Sequence, residues 1–182
     1  YAEAQKTFPE ALGNVSLDDF HRAVNAVRPS LIRVEADELT YNLHITVRFE
    51  IERALFTGAL QVRDVPGAWN EKMERLVGVR PPDDRRGCLQ DIHWSIGAFG
   101  YFPTYALGNL YAAQFYEKAC ADIGDLPACI RRGDMAPLLT WLRENIHRHG
   151  QRYRAADLVK HVTGKPLAVE PFVRYATRKF EA

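Results

Sequence analysis

Residues 30–57 contain neither glycine nor proline, and this uninterrupted stretch constrains the fold more than any other. Leu39, Tyr41, Leu43, Ile45, Val47, Phe49 and Ile51 alternate as a strand would. Helical spacing is present as well. Leu39, Leu43, Val47, Ile51 and Leu55 fall four apart, and Tyr41, Ile45 and Phe49 make a second stripe. The stretch is too long for an ordinary strand, and a helix apolar on two sides is a buried helix. The spacing therefore predicts one long buried helix, capped by Ser30 at its start and Gly58 at its end. Arg48 and Glu52 would form an i,i+4 charge pair on it.

The rest of the chain reads as further helices. Ser16, followed three residues later by Asp19, is a capping-box-like start for a helix over residues 17–27, stopped before Pro29. Pro66 opens a helix over residues 67–77, closed by Gly78. Residues 79–87, VRPPDDRRG, are a loop by their prolines and charges. Helices are expected over residues 104–123, 137–146 (capped by Asp134), 155–163 and 170–180. There is no internal repeat and no linker-like composition, so residues 1–182 are expected to form a single, all-α helical region.

Composition narrows the function classes. With 24 Lys and Arg against 23 Asp and Glu, the formal charge of +1 gives no electrostatic case for nucleic acid or an anionic membrane as partner. No apolar run approaches the roughly 20 residues of a spanning helix, and the first residues lack a signal-peptide pattern. Cys88, Cys120 and Cys129 are odd in number and include no C-x-x-C, which points to free thiols and a cytoplasmic home. The chain opens on Tyr1 rather than Met, with Phe8 and Pro9 already interior in character, as in a processed product or a piece of a longer chain.

Two stretches carry chemistry. Residues 87–105, GCLQDIHWSIGAFGYFPTY, crowd Gln90, Asp91, His93, Trp94, Tyr101 and Tyr105 around Gly87, Gly97 and Gly100. Glycines let backbone turn or approach closely, and imidazole and phenol groups supply hydrogen bonds. This is either the wall of a polar pocket or an aromatic plug in which Asp91 and His93 satisfy each other. Residues 32–38, IRVEADE, place one arginine among three carboxylates. Arg33 could pair with Asp37 one turn away. Alternatively it keeps its planar fork for a ligand carboxylate, a geometry lysine cannot offer.

IRVEAD at residues 32–37, GCLQDIHW at 87–94 and GYFPTYALGNLYAAQF at 100–115 together resemble the zinc metallocarboxypeptidases of the carboxypeptidase Taq family. The IRxxAD and GxxQDxHW patterns match at every fixed position and in the family's order. EADELTYNLHI, WNEKM and the GKPL and PF elements near the end extend the likeness over nearly the whole chain. The resemblance implies a cytoplasmic, mostly helical, homodimeric enzyme that uses zinc or cobalt to remove single amino acids from peptide C-termini.

One departure is plain. The family carries its metal on H-E-x-x-H, two histidines at i,i+4 with a glutamate base between them, and on a further glutamate in H-E-[SG]-Q. This chain has neither motif: no two of His21, His44, His93, His147, His149 and His161 are four apart. His147 and His149 read as a solvated helix end. The likeness is therefore to the C-terminal portion of the larger fold, with no metal ligand and no bound metal expected here. By resemblance, Arg33 takes the substrate carboxylate. His93 and Tyr101 or Tyr105 face the developing oxyanion. Asp91 orients its neighbours, while Gln90 and Trp94 shape the wall. Glu35, Asp37 and Glu38 are structural partners. Peptide C-termini and a second copy of the chain are the expected partners, and the segment alone is expected to be inactive. The competing expectation is a non-catalytic helical binding or dimerisation module derived from such an enzyme. A metal-independent hydrolase is disfavoured, since no Ser/His/Asp or Cys/His order stands out.

Overall fold

The computed structural model describes residues 1–181, and every regular element among them is helical. They fall into two compact units, Tyr1–Pro103 and Thr104–Ala182. No described helix is long and apolar enough to cross a membrane.

The first unit holds α1 (Ala2–Thr7), α2 (Pro9–Leu12), α3 (Leu17–Val24), α4 (Tyr41–Phe56) and α5 (Val65–Leu76). The Ser16 hydroxyl accepts the Asp19 backbone N–H at 3.0 Å, the expected cap of α3. That helix stops at Val24, three residues short of expectation. Gly78 ends α5 in the left-handed region at φ +84° and donates its N–H to the Met73 carbonyl at 3.0 Å. The short helices α1 and α2 had no signal in the sequence reading.

The largest correction concerns α4. It does not begin at Ser30; residues Arg33–Glu35 form a single 3-10 turn, and α4 starts only at Tyr41. The reason is Asp37. Its carboxylate accepts the backbone N–H groups of Arg28 at 2.9 Å, Leu39 at 3.0 Å and Thr40 at 2.8 Å. A side chain that satisfies these donors offers the backbone an alternative to helix and sets a turn. Burial alone would raise the Asp37 pKa, but these hydrogen bonds outweigh it and hold the carboxyl below its usual range. The Arg48–Glu52 pair is also not formed: both side chains are buried and each has other partners.

The core of this unit joins the inner face of α4 to α5 through Val47, Ile51, Val65, Trp69, Met73 and Val77. Each fully buried side chain of this size stabilises by about 1.5–3 kcal/mol. The alternation along α4 reflects burial of one broad side, while Phe49 and Phe56 remain exposed on the other.

The second unit is built on α6 (Pro103–Ile123), followed by α7 (Leu126–Arg131), α8 (Ala136–Asn145), α9 (Ala155–Thr163) and α10 (Glu170–Phe180). Its core gathers Ala119, Leu126 and Trp141. The Trp141 indole N–H is satisfied by Asp122 at 2.8 Å. Helices α9 and α10 have the predicted bounds. Helix α7, capped by the Asp125 side chain, was not foreseen.

Candidate functional site

Asp91 is the centre of the first unit's polar core. Its Oδ1 accepts from Arg33 Nε at 3.1 Å and Nη2 at 2.6 Å. Its Oδ2 accepts from Arg48 Nε at 2.7 Å and again from Arg48 Nη2. One carboxylate therefore holds two guanidiniums, one on each oxygen, through charge-assisted hydrogen bonds. Arg33 is only 6% exposed and Arg48 0%. Burial opposes the Asp91 charge, but the hydrogen bonds and charges of Arg33 and Arg48 prevail and hold its pKa below the usual carboxylate range. Burial pushes Arg48 down to about 10, which leaves it charged at neutral pH. For Arg33, burial is outweighed by Asp91 and Tyr41, and its pKa rises.

The elements deliver these groups by different routes. Arg48 comes from the buried side of α4, stacked 4.6 Å from the Trp69 ring centroid and 5.2 Å from that of Phe102. Its Nη1 also donates to the His44 carbonyl at 2.8 Å. Arg33 comes from the 3-10 turn and donates through Nη1 to the Tyr41 hydroxyl oxygen at 2.7 Å. Gln90 ties Arg33 and Arg48 together. Its Oε1 accepts the Arg33 backbone N–H at 2.9 Å and Arg48 Nη2 at 2.8 Å, while Nε2 donates to the Leu31 carbonyl at 3.0 Å. Of the two roles open to Arg33 in the sequence, the pair with Asp37 is not formed: Arg33 meets Asp91, and Asp37 accepts backbone N–H groups instead.

The glycines have identifiable work. A Cβ on Gly87 would sit 3.1 Å from the Asp83 carbonyl oxygen, a tight contact that the loop would relieve by shifting a few tenths of an ångström, and in ordinary contact with Trp69 Cδ1 at 3.5 Å. Gly97 and Gly100 both take φ +75°, the left-handed region the turn demands. Glu52, buried, accepts the Trp94 indole N–H at 2.7 Å and the Gly100 backbone N–H at 3.1 Å, and so fixes the turn that leads to Tyr101. Trp94 packs edge-on against Trp69, with centroids 6.0 Å apart.

The His93 ring lies between Tyr101, 5.9 Å away and stacked, and Phe102, 4.4 Å away. Its Nδ1 is 3.9 Å from Asp91 Oδ1, beyond hydrogen-bond reach. Asp91 and His93 are thus neighbours whose mutual satisfaction is not what holds the loop; the two arginines do that. Tyr101 is half exposed. Tyr105 belongs to the second unit, in the first turn of α6. The predicted site residues Arg33, Gln90, Asp91, His93, Trp94 and Tyr101 all lie in the first unit.

The sequence pairs Arg48 and Glu52 only with each other and gives Tyr41 and His44, which follow IRVEADE, no role. A signal existed for Arg48 and Glu52: charges on the buried stripe of a helix must find partners. His44 is 0% exposed, and neither ring nitrogen has a hydrogen-bond partner among the described residues. Burial first, then the Arg48 and Arg33 charges, lower its pKa to about 4, so it is neutral at pH 7. In the second unit a polar groove of about 310 Å³, lined by Gln114, Lys118, Thr163, Lys165, Glu170 and Arg174, lies on residues outside both motifs.

Among the described residues no group of three or more His, Cys, Asp or Glu side chains could hold a metal ion. The cluster itself is the wrong donor set for a divalent cation. Two guanidiniums repel it, and both oxygens of Asp91 are already engaged.

Residues 1–180 match the profile of the carboxypeptidase Taq (M32) metallopeptidases. Thermostable carboxypeptidase 1 of Thermus thermophilus is 54% identical over 184 residues, covering 98% of this chain and 36% of the relative. Carboxypeptidase 1 of Bacillus subtilis is 46% identical over 99% of this chain and 36% of its own length. The solved M32 carboxypeptidase from Deinococcus radiodurans R1 superposes with a TM-score of 0.94 at 45% identity, over 98% of this chain and 36% of that one. The chain thus spans about a third of the length of the relatives it matches.

Proposed function

This chain belongs to the carboxypeptidase Taq (M32) metallopeptidase family, and we propose that it forms the C-terminal segment of a metallocarboxypeptidase that releases single amino acids from peptide C-termini. In this proposal the segment supplies contacts to the substrate carboxylate and to the developing oxyanion, and the remainder of the enzyme supplies the metal. When bound there, the metal polarises the scissile carbonyl and activates water. The residues here do different work. Arg33 presents positive charge toward the free α-carboxylate. Asp91, Arg48 and Gln90 fix its orientation, and His93 with Tyr101 or Tyr105 donates toward the oxyanion.

The observation that carries the proposal is the meeting of Arg33 and Asp91, 58 residues apart in sequence, in a double guanidinium clamp. Two buried cations around one anion suit a site that receives a second anion. A further feature fits a segment that packs against more of the same enzyme. Leu89, Ile92 and Ile96 on the loop carrying the second motif are largely exposed. Zinc or cobalt as the metal, a homodimer and a cytoplasmic home complete the proposal by family resemblance.

The test is a full-length chimera in which this chain replaces the matching 36% of the Thermus thermophilus relative. Peptides with a free C-terminus should be cleaved and their C-terminal amides poorly. The chain by itself, with added zinc or cobalt, should give only background. A chimera that cleaves acid and amide alike would overturn the carboxylate assignment, and one that cleaves neither would favour a non-catalytic module.

A further inference from the structure

We propose that the Tyr41 hydroxyl donates directly to the carboxylate of the peptide C-terminus, and that Arg33 acts on that carboxylate largely through it. This rests on the carboxypeptidase reading above and adds a residue to its carboxylate site.

The inference starts from proton bookkeeping. Arg33 Nη1 and the Tyr41 oxygen are 2.7 Å apart. A guanidinium has donors and no acceptor, so the phenol oxygen must be the acceptor and its own proton must go elsewhere. Among the described residues no acceptor receives that proton, and Tyr41 is only half-buried. A hydroxyl whose oxygen accepts from a cation is a strengthened donor. The result is a polarised O–H, held beside a buried positive charge, with its proton available. That arrangement suits an anionic acceptor.

Arg33 is poorly placed to do the same work by itself. It is 6% exposed, and its Nε and Nη2 face Asp91. Tyr41 carries the interaction outward. The local sequence builds this relay. Asp37 caps the turn, Tyr41 donates its backbone N–H to the Asp37 carbonyl at 2.9 Å, and α4 begins there. The eight-residue spacing from Arg33 to Tyr41 is therefore fixed by the Asp37 turn rather than by helical periodicity. The Arg33 guanidinium carbon also lies 5.8 Å from the Tyr41 ring centroid, which steadies the ring independently of its hydroxyl.

The experiment is Tyr41→Phe in the full-length chimera, which deletes one oxygen and keeps the ring. Kinetics are measured on matched free-acid and amide peptides, with a competing N-acetyl amino acid as a carboxylate probe. The expected result is a fall in kcat/KM on the free acid of about 10- to 100-fold, carried mainly by KM. The acid-over-amide preference should shrink, the inhibition constant of the N-acetyl amino acid should rise in parallel, and the melting temperature should fall by only a few degrees, because Arg33 Nη1 loses its acceptor while Asp91 still holds the guanidinium. As a second measurement, the ring resonances of Tyr41 in the chain itself should move with N-acetyl amino acid and not with its amide. An unmodified chimera without acid preference would sink the carboxypeptidase reading. A chimera that prefers the acid, with Tyr41→Phe leaving KM and that preference intact, would sink this inference alone. Equal resonance shifts with acid and amide would also count against it.

Discussion

Replacing Asp91 by asparagine should be among the most destabilising single changes in the first unit. The carboxylate accepts two N–H groups from Arg33 and two from Arg48. The side chains are 7%, 0% and 11% exposed for Arg33, Arg48 and Asp91, so water cannot stand in for a lost partner. Asparagine has one carbonyl oxygen and one amide group, and the amide turns a donor toward a guanidinium. At least one buried cation is left without its anion, a change that costs about 3–5 kcal/mol. At about 2–4 °C per kcal/mol for a chain of this size, the melting temperature should drop by about 6–20 °C. Asp37→Asn is the control. Its carboxylate serves backbone donors, and asparagine retains much of that capacity, so the cost should stay near 1 kcal/mol. Thermal and urea unfolding at pH 7 measure both variants. Because the folded Asp91 pKa is depressed, its contribution is present above the unfolded value and fades as pH falls through the folded one, so the gap between wild type and Asp91→Asn should narrow in acid. An Asp91→Asn cost below about 1 kcal/mol, or one no larger than that of Asp37→Asn, would refute the clamp as an energetic hub.

Other consequences follow from the same geometry. Arg33→Ala should cost less stability than Asp91→Asn, since Arg48 still neutralises Asp91, yet it should lower kcat/KM of the full-length chimera by about 30-fold or more and erode its preference for free acid over amide; Arg33→Lys should recover only part of this. His44, with a folded pKa near 4 against 6.5 unfolded, should make the chain lose stability as pH falls from 6.5 toward 4, by up to about 3 kcal/mol, because only the unfolded state takes up that proton; urea midpoints at pH 7 and pH 5 should converge in His44→Phe, and an unchanged pH slope would contradict this. Glu52→Gln should set an amide N–H against either Trp94 or Gly100 and cost about 1–3 kcal/mol with a shift in tryptophan emission, whereas an unaltered spectrum and stability would rule out the tether.

Much of the helical plan was legible. The Ser16 cap and the glycine stops at Gly58, Gly78 and Gly164 depend on neighbours a few residues away, and such contacts leave a periodic trace in the sequence. Helices α9 and α10 were placed to the residue for that reason. The start of α4 was not, because Asp37 has two roles open to it. As the i,i+4 partner of Arg33 it would extend a helix, and as an acceptor for three backbone N–H groups it sets the turn out of which α4 begins. Periodicity counts the first and is blind to the second.

The sequence by itself determined that the chain is helical and that IRxxAD and GxxQDxHW are its informative segments; the likeness they carry extends over residues 1–180. What the tertiary structure decided is which charges meet. Arg33 passes over a carboxylate four residues away for one 58 residues away, and Arg48 leaves Glu52, one turn along its own helix, for the same Asp91. The physical reason is burial. In water an i,i+4 pair contributes a few tenths of a kcal/mol, about 0.2–0.5. Inside the unit a guanidinium without a carboxylate would cost several times that. Partners of buried charges are therefore chosen by where the fold brings an anion into the dry interior, and that is a property of α4 and the loop after α5 packed together.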